Sequence, residues 1–457
     1  MRLTILGGGG FRVPLVYRAL LADGLRDDAV ITEVVLYDTD PRRLSAIGAV
    51  LERQRDAHRT RHGALPRPDV RAETDLDAAL DGAGMVFSAM RVGGMAGRVL
   101  DERVALSAGV LGQETVGAGG ISYGLRTLPV ALRVARAVAE RAPEAWVVNF
   151  TNPAGLVTEA MSGVLGDRVV GICDSPTGLA RRAARALRLD PAAVRADYAG
   201  LNHLGWLRGL WSGGHDRLPD LLADTEALES FEEGRLFGAA WLRAIGALPN
   251  EYLHYYDLAR EARAEALDAA QTRGEQIVGQ QAAFYRAAAD RPDEAFTLWD
   301  RTRVEREATY MADNRRAAGG FERAEEDLDG GGYEEVALAV MRAVARDEPA
   351  RLIVDVRNRG ALPGLDADAV VEVPCLVDAS GARPLAAAPL DGRQMALVHA
   401  VKSVERDVIE AVRTGSRTPA LRAFATHPLV DSVATARTLL DGYLGAFPDL
   451  ARTLPHP

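Results

Sequence analysis

Short apolar segments alternate with helical patterns through the first 195 residues of the chain. The apolar segments lie at 2–6, 33–37, 85–88, 145–149 and 168–172. Alanine- and arginine-rich stretches with helical periodicity separate them, and the clearest of these is 128–141. Because β-strands that alternate with helices build parallel sheets, the pattern predicts an α/β fold with a Rossmann-like, doubly wound parallel sheet.

The alternation fades after about residue 195, and the rest of the chain is mostly alanine-rich helix. One β excursion, 351–356 followed by 370–376, interrupts this pattern. The predicted helices lie at 236–247, 259–290, 333–346, 392–413 and 433–445. A chain of 457 residues predicts more than one domain. We expect an NAD-binding, Rossmann-like domain over 1–195 and a mainly helical α+β domain for substrate binding and oligomerisation over 196–457.

Composition narrows the partners and the cellular setting of the protein. The chain has 54 basic and 64 acidic residues, a net charge of −10, which argues against a nucleic-acid scaffold. No apolar run approaches the ~18–20 residues of a membrane span. The first residues, MRLTILGGGG, lack the long apolar stretch of a signal peptide. We therefore expect a cytoplasmic protein with neither a nucleic-acid nor a membrane partner.

Cysteine and lysine usage restricts the chemistry further. Cys173 and Cys375 are the two cysteines and make no disulfide framework, which fits a reducing compartment. Lys402 is the single lysine, so a catalytic scheme based on lysine would depend on it.

A glycine turn follows the first predicted strand and precedes the first helix. Its residues are Gly7, Gly8, Gly9, Gly10 and Phe11. Glycines at this place leave backbone N–H groups free to bind a pyrophosphate, although Arg12 stands where the fingerprint has its third glycine. Asp38 ends the next strand, where an acidic residue binds ribose hydroxyls and disfavours a 2′-phosphate. The turn therefore favours NAD as cofactor over a purely structural glycine-rich turn.

A cysteine and a histidine form a candidate metal pair. Cys173 follows the last strand of the alternating region, and His203 lies about thirty residues further on. A thiolate with an imidazole suits Mn, Fe, Co, Ni or Zn, and two protein ligands leave positions open for substrate oxygens. Taken singly, a buried cysteine is more often core, and a buried histidine is more often hydrogen-bonded core.

The chain resembles glycoside hydrolase family four over nearly its whole length, roughly residues 2–445, and ten segments carry the resemblance. They are GGGGFRVPLV (7–16), MRVGG (90–94), DERVALSAGVLGQETVGAGG (101–120), NFTNPAG (149–155), GICDSP (171–176), GLNHLGW (200–206), NEYLHYY (250–256), TRGEQIV (272–278), VRNRGAL (356–362) and EVPC (372–375). Their shared order and spacing carry the resemblance more than any one of them. This family is an NAD-dependent exception to the usual two-carboxylate rule for glycosidases.

The resemblance implies roles for individual residues. Cys173 and His203 would bind a divalent metal, with manganese expected, and Tyr252 would be the general base. The other implied roles are proton donor for Asp174, support of the tyrosine's basicity for Asp101, and substrate binding for Arg91, Asn152 and Arg273. Without the resemblance, Tyr252 reads as part of an aromatic helix face and Asp174 as a helix cap.

The implied reaction oxidises C3 of the sugar, deprotonates C2, eliminates the aglycone and adds water, so that NAD is used but not consumed. A tyrosine with an ordinary pKa of ~10 is a poor base at neutral pH. Positive charge near it, such as a divalent metal, would have to lower that pKa. Arginines provide planar forks suited to a phosphate or to sugar hydroxyls.

The substrate class follows from the resemblance, with the anomer left open. Asp174 with Pro176 resembles phospho-α-glucosidases, whereas NEYLHYY and VRNRGAL look more like phospho-β-glucosidases. We expect a phosphorylated disaccharide or glucoside, with 6-phospho-β-glucosidase favoured and 6-phospho-α-glucosidase as the alternative. A plain NAD-dependent hydroxy-acid or sugar dehydrogenase and a non-catalytic sensor are the rivals from other classes. The resemblance also implies a homodimer or homotetramer.

Overall fold

The computed structural model describes residues 1–63, 68–310, 312–322 and 332–457. The strands are β1 Arg2–Leu6, β2 Glu33–Tyr37, β3 Asp69–Glu73, β4 Met85–Ser88, β5 Trp146–Asn149, β6 Val169–Gly171, β7 Arg195–Leu201, β8 Leu204–Ser212, β9 His215–Asp216, β10 Leu248–Pro249, β11 Ala350–Arg357, β12 Val370–Asp378 and β13 Gly381–Pro384. These strands form one sheet within the described residues.

Helices cover the sheet. They are α1 Val13–Asp23, α2 Pro41–His62, α3 Leu76–Leu80, α4 Gly94–Ser107, α5 Gly117–Arg141, α6 Ala154–Leu165, α7 Ser175–Ala186, α8 Leu218–Ala223, α9 Thr225–Glu229, α10 Glu232–Phe237, α11 Ala239–Ile245, α12 His254–Asp257, α13 Ala259–Asp268, α14 Arg273–Asp290, α15 Ala295–Ala308, α16 Ala312–Ala317, α17 Tyr333–Arg346, α18 Gly392–Thr414, α19 Arg417–Thr426, α20 Val433–Ala446 and α21 Pro448–Thr453. None of these helices combines the length and the hydropathy that a membrane crossing needs.

The sheet has a parallel half and an antiparallel half. Strands β3-β2-β1-β4-β5-β6 are parallel neighbours in that order, which is the order of a Rossmann sheet. Strands β11, β12, β7, β8 and β10 continue the sheet beyond β6 with antiparallel pairs. The predicted fold class, a Rossmann-like sheet followed by a mainly helical α+β region, is confirmed. Strands from both sides of residue 195 pair within the same sheet.

Two apolar clusters form the core. In β4, Met85 and Phe87 belong to one cluster and Val86 to the other, and Val148 and Val147 of β5 divide in the same way. Because successive side chains of a strand point to opposite faces, the two clusters lie on opposite faces of the sheet. Burial on both faces explains why these strands read as continuous apolar runs in the sequence.

Two predicted helices are wrong in extent. The predicted helix 236–247 is two helices, because Gly238 takes a left-handed φ of +77° between α10 and α11. The predicted helix 259–290 breaks after Asp268, and a new helix begins at Arg273. Thr272 caps that helix through a capping box with Glu275. The T-x-x-E spacing in TRGE is the sequence signal for this boundary.

Several strands were not predicted. Strand β3, with the sequence DVRAE, lies at the edge of the sheet and is mostly polar. The β7–β8 hairpin follows the point at which the apolar alternation fades. Its pairing partners are distant in sequence, since β7 contacts β12 and β8 contacts β10. Tertiary pairing, more than local periodicity, forms these strands.

Lys402 has a structural position. Its ammonium group is buried, donates to Glu159 Oε2 at 2.8 Å and contacts the Glu405 carboxylate. Nearby, Asp355 and Glu372 face each other across the β11–β12 pair, and both are fully buried. No described group hydrogen-bonds to either carboxylate oxygen of Asp355. Burial raises the pKa of Asp355 to about 8 and that of Glu372 well above its usual range.

The buried acid pair predicts a pH-dependent stability change. A carboxyl whose pKa is raised on folding destabilises the fold progressively as pH rises from its unfolded pKa to its folded pKa. We expect Asp355→Asn to raise the melting temperature by about 2 °C or more at pH 8. The gain should be much smaller at pH 5, where wild-type Asp355 is protonated. Thermal melts at both pH values measure it, with the exposed Asp368→Asn as control. Equal gains at the two pH values would contradict the account.

Candidate active site

One cleft of ≈ 610 Å³ lies at the carboxyl ends of the parallel strands. The residues that follow β1, β2, β4, β5 and β6 all line it, namely Gly7, Asp38, Ala89, Phe150 and Ile172. Open α/β sheets bind their ligands at this edge. Side chains of the helical half also line the cleft, so both halves of the chain contribute to it.

The glycine turn is folded tightly against the second strand. The N–H groups of Gly7 and Gly8 both donate to the Tyr37 carbonyl, at 2.9 and 2.7 Å. Gly7 has a left-handed φ of +81°, and a Cβ at Gly8 would lie 2.8 Å from Leu36 Cα. Glycine is required at these two positions, at the first by conformation and at the second by close approach.

Asp38 is oriented by the same turn. Its Oδ2 accepts from the Gly9 N–H at 3.1 Å, and its Oδ1 accepts from the Asp40 N–H at 3.1 Å. The carboxylate therefore has a fixed direction at the cleft edge, next to Gly10 and Phe11, which also line the cleft. This arrangement fits the predicted contact with ribose hydroxyls.

Aromatic side chains of the helical half donate hydrogen bonds to the backbone of the glycine turn and of the residue after it. Three of them donate to its carbonyls: Tyr285 to Gly9 at 2.7 Å, Trp299 to Phe11 at 2.8 Å and Tyr333 to Arg12 at 2.8 Å. With its carbonyls bound in this way, the turn has a defined geometry before any ligand arrives. These contacts had no signal in the sequence, because the donors lie about 270 to 320 residues away from the carbonyls.

His203 lies in the turn of the β7–β8 hairpin. Leu201 pairs with Leu204, so Asn202 and His203 form the turn itself. His203 has a φ of +62°, a left-handed conformation that costs a residue other than glycine roughly 1–2 kcal/mol. The hairpin pairing imposes this conformation, and the imidazole is buried in the cleft wall.

Tyr252 stacks on the His203 imidazole. It lies on a 3-10 turn, Glu251–Leu253, directly after β10, and Asn250 Oδ1 accepts from its N–H at 3.0 Å. The two rings lie 3.7 Å apart between centroids, with an angle of 9° between their planes. Because β10 pairs with β8, one piece of sheet positions both residues.

Burial keeps the candidate metal and base groups neutral. Cys173 is buried in the same cleft as His203 and Tyr252. Burial raises the pKa of the Cys173 thiol and of the Tyr252 phenol well above their usual ranges. Burial also lowers the pKa of His203 to about 3. A neutral imidazole is the form that binds a metal, whereas the thiol must lose its proton to do so.

The donor set fits a metal with two protein ligands. Within the described residues, no group of three or more His, Cys, Asp or Glu side chains could hold a metal ion. A cation beside Cys173 and His203 would therefore take further ligands from substrate or water. Asn152 Oδ1 is buried at the same cleft and has no hydrogen-bond partner among the described groups. A buried acceptor of this kind is costly unless a ligand satisfies it.

Asp174 points into the cleft and does not cap a helix. It occupies the N-cap position of α7, but its carboxylate accepts no backbone N–H there. Its Oδ1 instead accepts from Cys173 Sγ at 3.8 Å. The position fits a group that acts on the ligand better than it fits the helix-cap alternative.

Arginines line the cleft near the glycine turn. Arg91 donates to Glu114 at 2.6 Å, and Arg273 donates to the Thr309 hydroxyl at 2.6 Å. Arg306 was not predicted, and its guanidinium forms no ion pair within the described residues; it lies over the Phe11 ring, 5.7 Å from the ring centroid. Burial and the charge of Arg12, with smaller contributions from Arg273 and Arg98, lower the pKa of Arg306 to about 9. Glu307 acts in the opposite direction on this pKa, and it forms an ion pair with Arg12 at 3.7 Å.

Asp101 lies outside the cleft lining. Its carboxylate forms a buried bidentate ion pair with Arg126, in which Nη1 donates to Oδ1 at 2.6 Å and Nη2 donates to Oδ2 at 2.7 Å. The structure does not bring it to Tyr252. The Tyr252 hydroxyl instead lies 3.1 Å from the Tyr310 hydroxyl, which donates to Glu251 Oε1 at 2.8 Å.

Sequence reasoning missed Glu251, Arg306 and Tyr310. Glu251 lies inside the NEYLHYY segment, in which only Tyr252 was assigned a role from the sequence. Arg306 lies in the last turn of α15, and Tyr310 follows that helix, four residues after Arg306. That spacing was the available signal, but nothing local connected it to the cleft.

The fold and cleft define a Rossmann-like enzyme with a second, mainly helical region closing its site. The sequence profile described as Family 4 glycosyl hydrolase matches residues 2–189, and that of the Family 4 glycosyl hydrolase C-terminal domain matches residues 198–430. The chain belongs to glycosyl hydrolase family 4 and is a glycosidase. This membership favours the glycosidase over the dehydrogenase and sensor alternatives.

Individual relatives match over nearly the whole chain. A Bacillus subtilis protein named a probable 6-phospho-β-glucosidase is 30% identical, over 98% of this chain and 96% of its own length. The structure of the Thermotoga maritima 6-phospho-β-glucosidase with NAD and glucose-6-phosphate has a TM-score of 0.81 at 26% identity, covering 98% of this chain and 99% of its own. A 6-phospho-α-glucosidase from gut microorganisms, with NAD and Mn²⁺, has a TM-score of 0.79 at 25% identity, covering 98% of both chains.

The candidate metal pair gives a direct prediction. We expect Cys173→Ala and His203→Ala each to weaken Mn²⁺ binding more than about 100-fold, because losing an outer-shell partner alone costs about 10–100-fold. Electron paramagnetic resonance of free Mn²⁺ measures the affinity. NAD⁺ affinity should stay within about threefold of wild type. Cys375→Ala is the matched control, since that buried cysteine lies on β12 away from the cleft lining. Unchanged Mn²⁺ affinity in either cleft variant would rule out the pair.

Proposed function

We propose that this chain is an NAD- and divalent-metal-dependent 6-phospho-β-glucosidase that acts on phosphorylated disaccharides or glucosides. In this proposal residues 1–195 bind the cofactor and residues 196–457 supply most of the substrate groups and the oligomer contacts. Support comes from relatives of that name and from the Thermotoga maritima structure, which contains manganese, NAD⁺ and glucose-6-phosphate. The protein is proposed to act in the cytoplasm as a homodimer or homotetramer.

The guanidinium of Arg306 is the observation that supports the phosphate requirement. Its side chain lines the cleft beside Arg12 and Arg273, and it has no acidic partner among the described residues. A half-buried guanidinium that lines a cleft without a carboxylate beside it among the described residues favours an anionic ligand at that place. A sugar phosphate supplies that charge, and guanidinium forks bind phosphate in a bidentate manner.

The residues of the chain divide the reaction among them. When bound, NAD⁺ supplies a reversible hydride acceptor and the divalent cation supplies positive charge beside the sugar oxygens. The glycine turn and Asp38 hold the cofactor, and Cys173 with His203 would hold the metal. Tyr252, once it has lost its own proton beside that positive charge, would take the proton from C2 of the sugar, with its ring held flat against His203. Asp174 donates a proton to the departing aglycone oxygen at C1.

Residues on the substrate side orient the sugar. Asn152 offers a buried carbonyl oxygen that needs a donor, and a sugar hydroxyl is a suitable one. Arg91 is held by Glu114 and lies over the Tyr123 ring, so its guanidinium has a fixed direction. Holding the reacting carbon beside an oriented base lowers the entropic part of the barrier.

A substrate panel tests the proposal together with Arg306. The panel is p-nitrophenyl α- and β-glucosides with and without a 6-phosphate, assayed with NAD⁺ and Mn²⁺. We expect turnover of the 6-phospho-β-glucoside without net NADH. Arg306→Gln should raise KM for the phosphorylated substrate about 10- to 100-fold, as expected for the loss of a charged hydrogen bond. Arg301→Gln, on the exposed side of the same helix, is the control.

Other outcomes of the panel identify the alternatives. Preference for the 6-phospho-α-glucoside would assign the α branch of the family, which the Asp174–Pro176 segment resembles. Net NADH formation without release of nitrophenol would indicate a dehydrogenase. Hydrolysis that survives removal of both metal and cofactor would refute the proposal.

A further inference from the structure

Four polar side chains connect the turn that carries His203 to the turn that carries Tyr252. They belong to Tyr198, Asn202, Asn250 and Glu372, and we call them the polar cluster. All four residues are described by the structure, and none of them belongs to the cleft lining. The polar cluster therefore lies behind the cleft wall, and its effect on a bound ligand is indirect.

The hydrogen bonds of the polar cluster form a continuous path. Asn250 Oδ1 accepts from the Tyr252 N–H at 3.0 Å, and Asn250 Nδ2 donates to the Tyr198 hydroxyl at 3.3 Å. The Tyr198 hydroxyl donates to Glu372 Oε2 at 3.1 Å. Glu372 Oε1 accepts from Asn202 Nδ2 at 3.3 Å. The path thus joins the backbone at the candidate base to a side chain of the β7–β8 hairpin turn.

Glu372 holds the hairpin turn at His203. Asn202 directly precedes His203 in the two-residue turn between β7 and β8. Glu372 lies on β12, opposite Gly200 of β7. The hydrogen bond from Asn202 therefore fastens the turn to the neighbouring strand, which helps to keep the left-handed backbone at His203 in one position.

The Tyr198 ring is as closely fitted as its hydroxyl. A Cβ at Gly205 would lie 2.6 Å from Tyr198 Cζ, so only glycine leaves room for the ring. The Asn250 N–H donates to the Gly205 carbonyl at 2.8 Å, which fastens the Tyr252 turn to β8 as well. Tyr198 and Glu372 are 0% exposed and Asn250 is 1% exposed, so bulk water does not compete for these hydrogen bonds.

The polar cluster does not require a charged Glu372, and it is a poor source of stability. A neutral carboxyl keeps one oxygen that accepts and has one proton to donate. Asp355 faces Glu372 across the β11–β12 pair, and burying two carboxyls side by side costs free energy. The geometry that the polar cluster imposes on the two turns explains it better than a gain in stability does.

We propose that the polar cluster positions His203 and Tyr252 relative to each other, in the stacked arrangement in which the histidine can bind the metal. This inference rests on the proposed function, because it assigns partners to the metal ligand and the base of that reaction. The two rings lie 3.7 Å apart at an angle of 9°, and displacement of either turn would separate them. The members of the polar cluster are positioning residues, since they touch neither metal nor substrate in this role.

Tyr198→Phe tests the polar cluster at its centre. The substitution keeps the ring over Gly205 and removes the hydroxyl that joins Asn250 to Glu372. We expect Mn²⁺ affinity, measured by electron paramagnetic resonance of free Mn²⁺ with NAD⁺ present, to fall about 10- to 100-fold, the usual effect of losing a group that orients a metal ligand. NAD⁺ affinity should stay within about threefold of wild type. Unchanged Mn²⁺ affinity would overturn the proposal.

Tyr443→Phe is the matched control for a loss of stability. Tyr443 is also 0% exposed, and its hydroxyl donates to the Asp101 carbonyl at 2.9 Å, on α20 and outside the cleft lining. We expect both tyrosine variants to melt at a lower temperature, with Mn²⁺ affinity in Tyr443→Phe within about threefold of wild type. An equal loss of Mn²⁺ affinity in the two variants would attribute the effect to general destabilisation and overturn the proposal.

Two substitutions of Glu372 separate hydrogen bonding from charge. Glu372→Gln removes the charge but keeps an acceptor for Tyr198 and a donor for Asn202, whose amide can turn to accept. Glu372→Met keeps the length of the side chain and removes both hydrogen bonds. We expect Mn²⁺ affinity within about threefold of wild type in the glutamine variant and a loss of about 10- to 100-fold in the methionine variant. Equal losses would assign the effect to charge and overturn the proposal.

Saturating Mn²⁺ tests the link to Tyr252. With the metal site filled, we expect kcat of Tyr198→Phe for a 6-phosphoglucoside to stay about 10-fold or more below wild type, because a misplacement of ~1 Å can cost about 10²-fold. Complete recovery of kcat would show that only the histidine depends on the polar cluster, and the proposed coupling of the two turns would be wrong.

Failure of this inference differs from failure of the proposed function. If the two metal-pair variants lose Mn²⁺ affinity while the Tyr198 and Glu372 variants keep it, only the positioning role is wrong. If the wild-type enzyme cleaves none of the panel while the Mn²⁺ results are as expected, the proposed function fails and the positioning of the metal ligand stands.

Discussion

Burial of the cleft is the constraint on which the chemistry of this site depends. Removal from water raises the pKa of Cys173 and Tyr252 and lowers that of His203, so the three stacked or neighbouring groups are neutral in the folded chain. A buried thiol and phenol become a ligand and a base only beside added positive charge. The same low dielectric strengthens the interaction of that charge with each of them. In the proposed reaction, the requirement for a cation is thus a consequence of the fold.

The geometry of the glycine turn depends on contacts between the two halves of the chain. The glycine turn belongs to the Rossmann sheet, yet its carbonyls accept hydrogen bonds from Tyr285, Trp299 and Tyr333 of the helical half. The sheet itself continues from β6 into β11 and β12. The two halves of the chain are therefore parts of one packed unit, and in the proposed function this packing keeps cofactor and substrate in a fixed relation.

The sequence predicted the parts of the molecule that are determined by interactions between residues close together in the chain. The buried strands β1, β2, β4, β5 and β6, the glycine turn and Asp38 follow from apolar runs and turn chemistry. The left-handed turn at His203 and the hydrogen bonds from Tyr252 to Glu251 arise from contacts between distant segments. The same holds for the Arg306 guanidinium, which has no ion pair among the described residues. Asp101 shows that a family resemblance has the same limit. The resemblance implied that Asp101 supports the basicity of the tyrosine, whereas in the structure its carboxylate pairs with Arg126. The chemical type of each site residue could be predicted from the sequence, but the residues that contact it in the fold could not.

The most direct test of the account is the fate of the C2 proton. The enzyme is incubated in D₂O with Mn²⁺, substoichiometric NAD⁺ and a 6-phospho-β-glucoside, and the released sugar phosphate is analysed by NMR. The proposed removal of the C2 proton by Tyr252 during each turnover predicts deuterium at C2 of the product. Complete hydrolysis with protium retained at C2 would contradict the account, because the glycosidic bond would then break without deprotonation at C2.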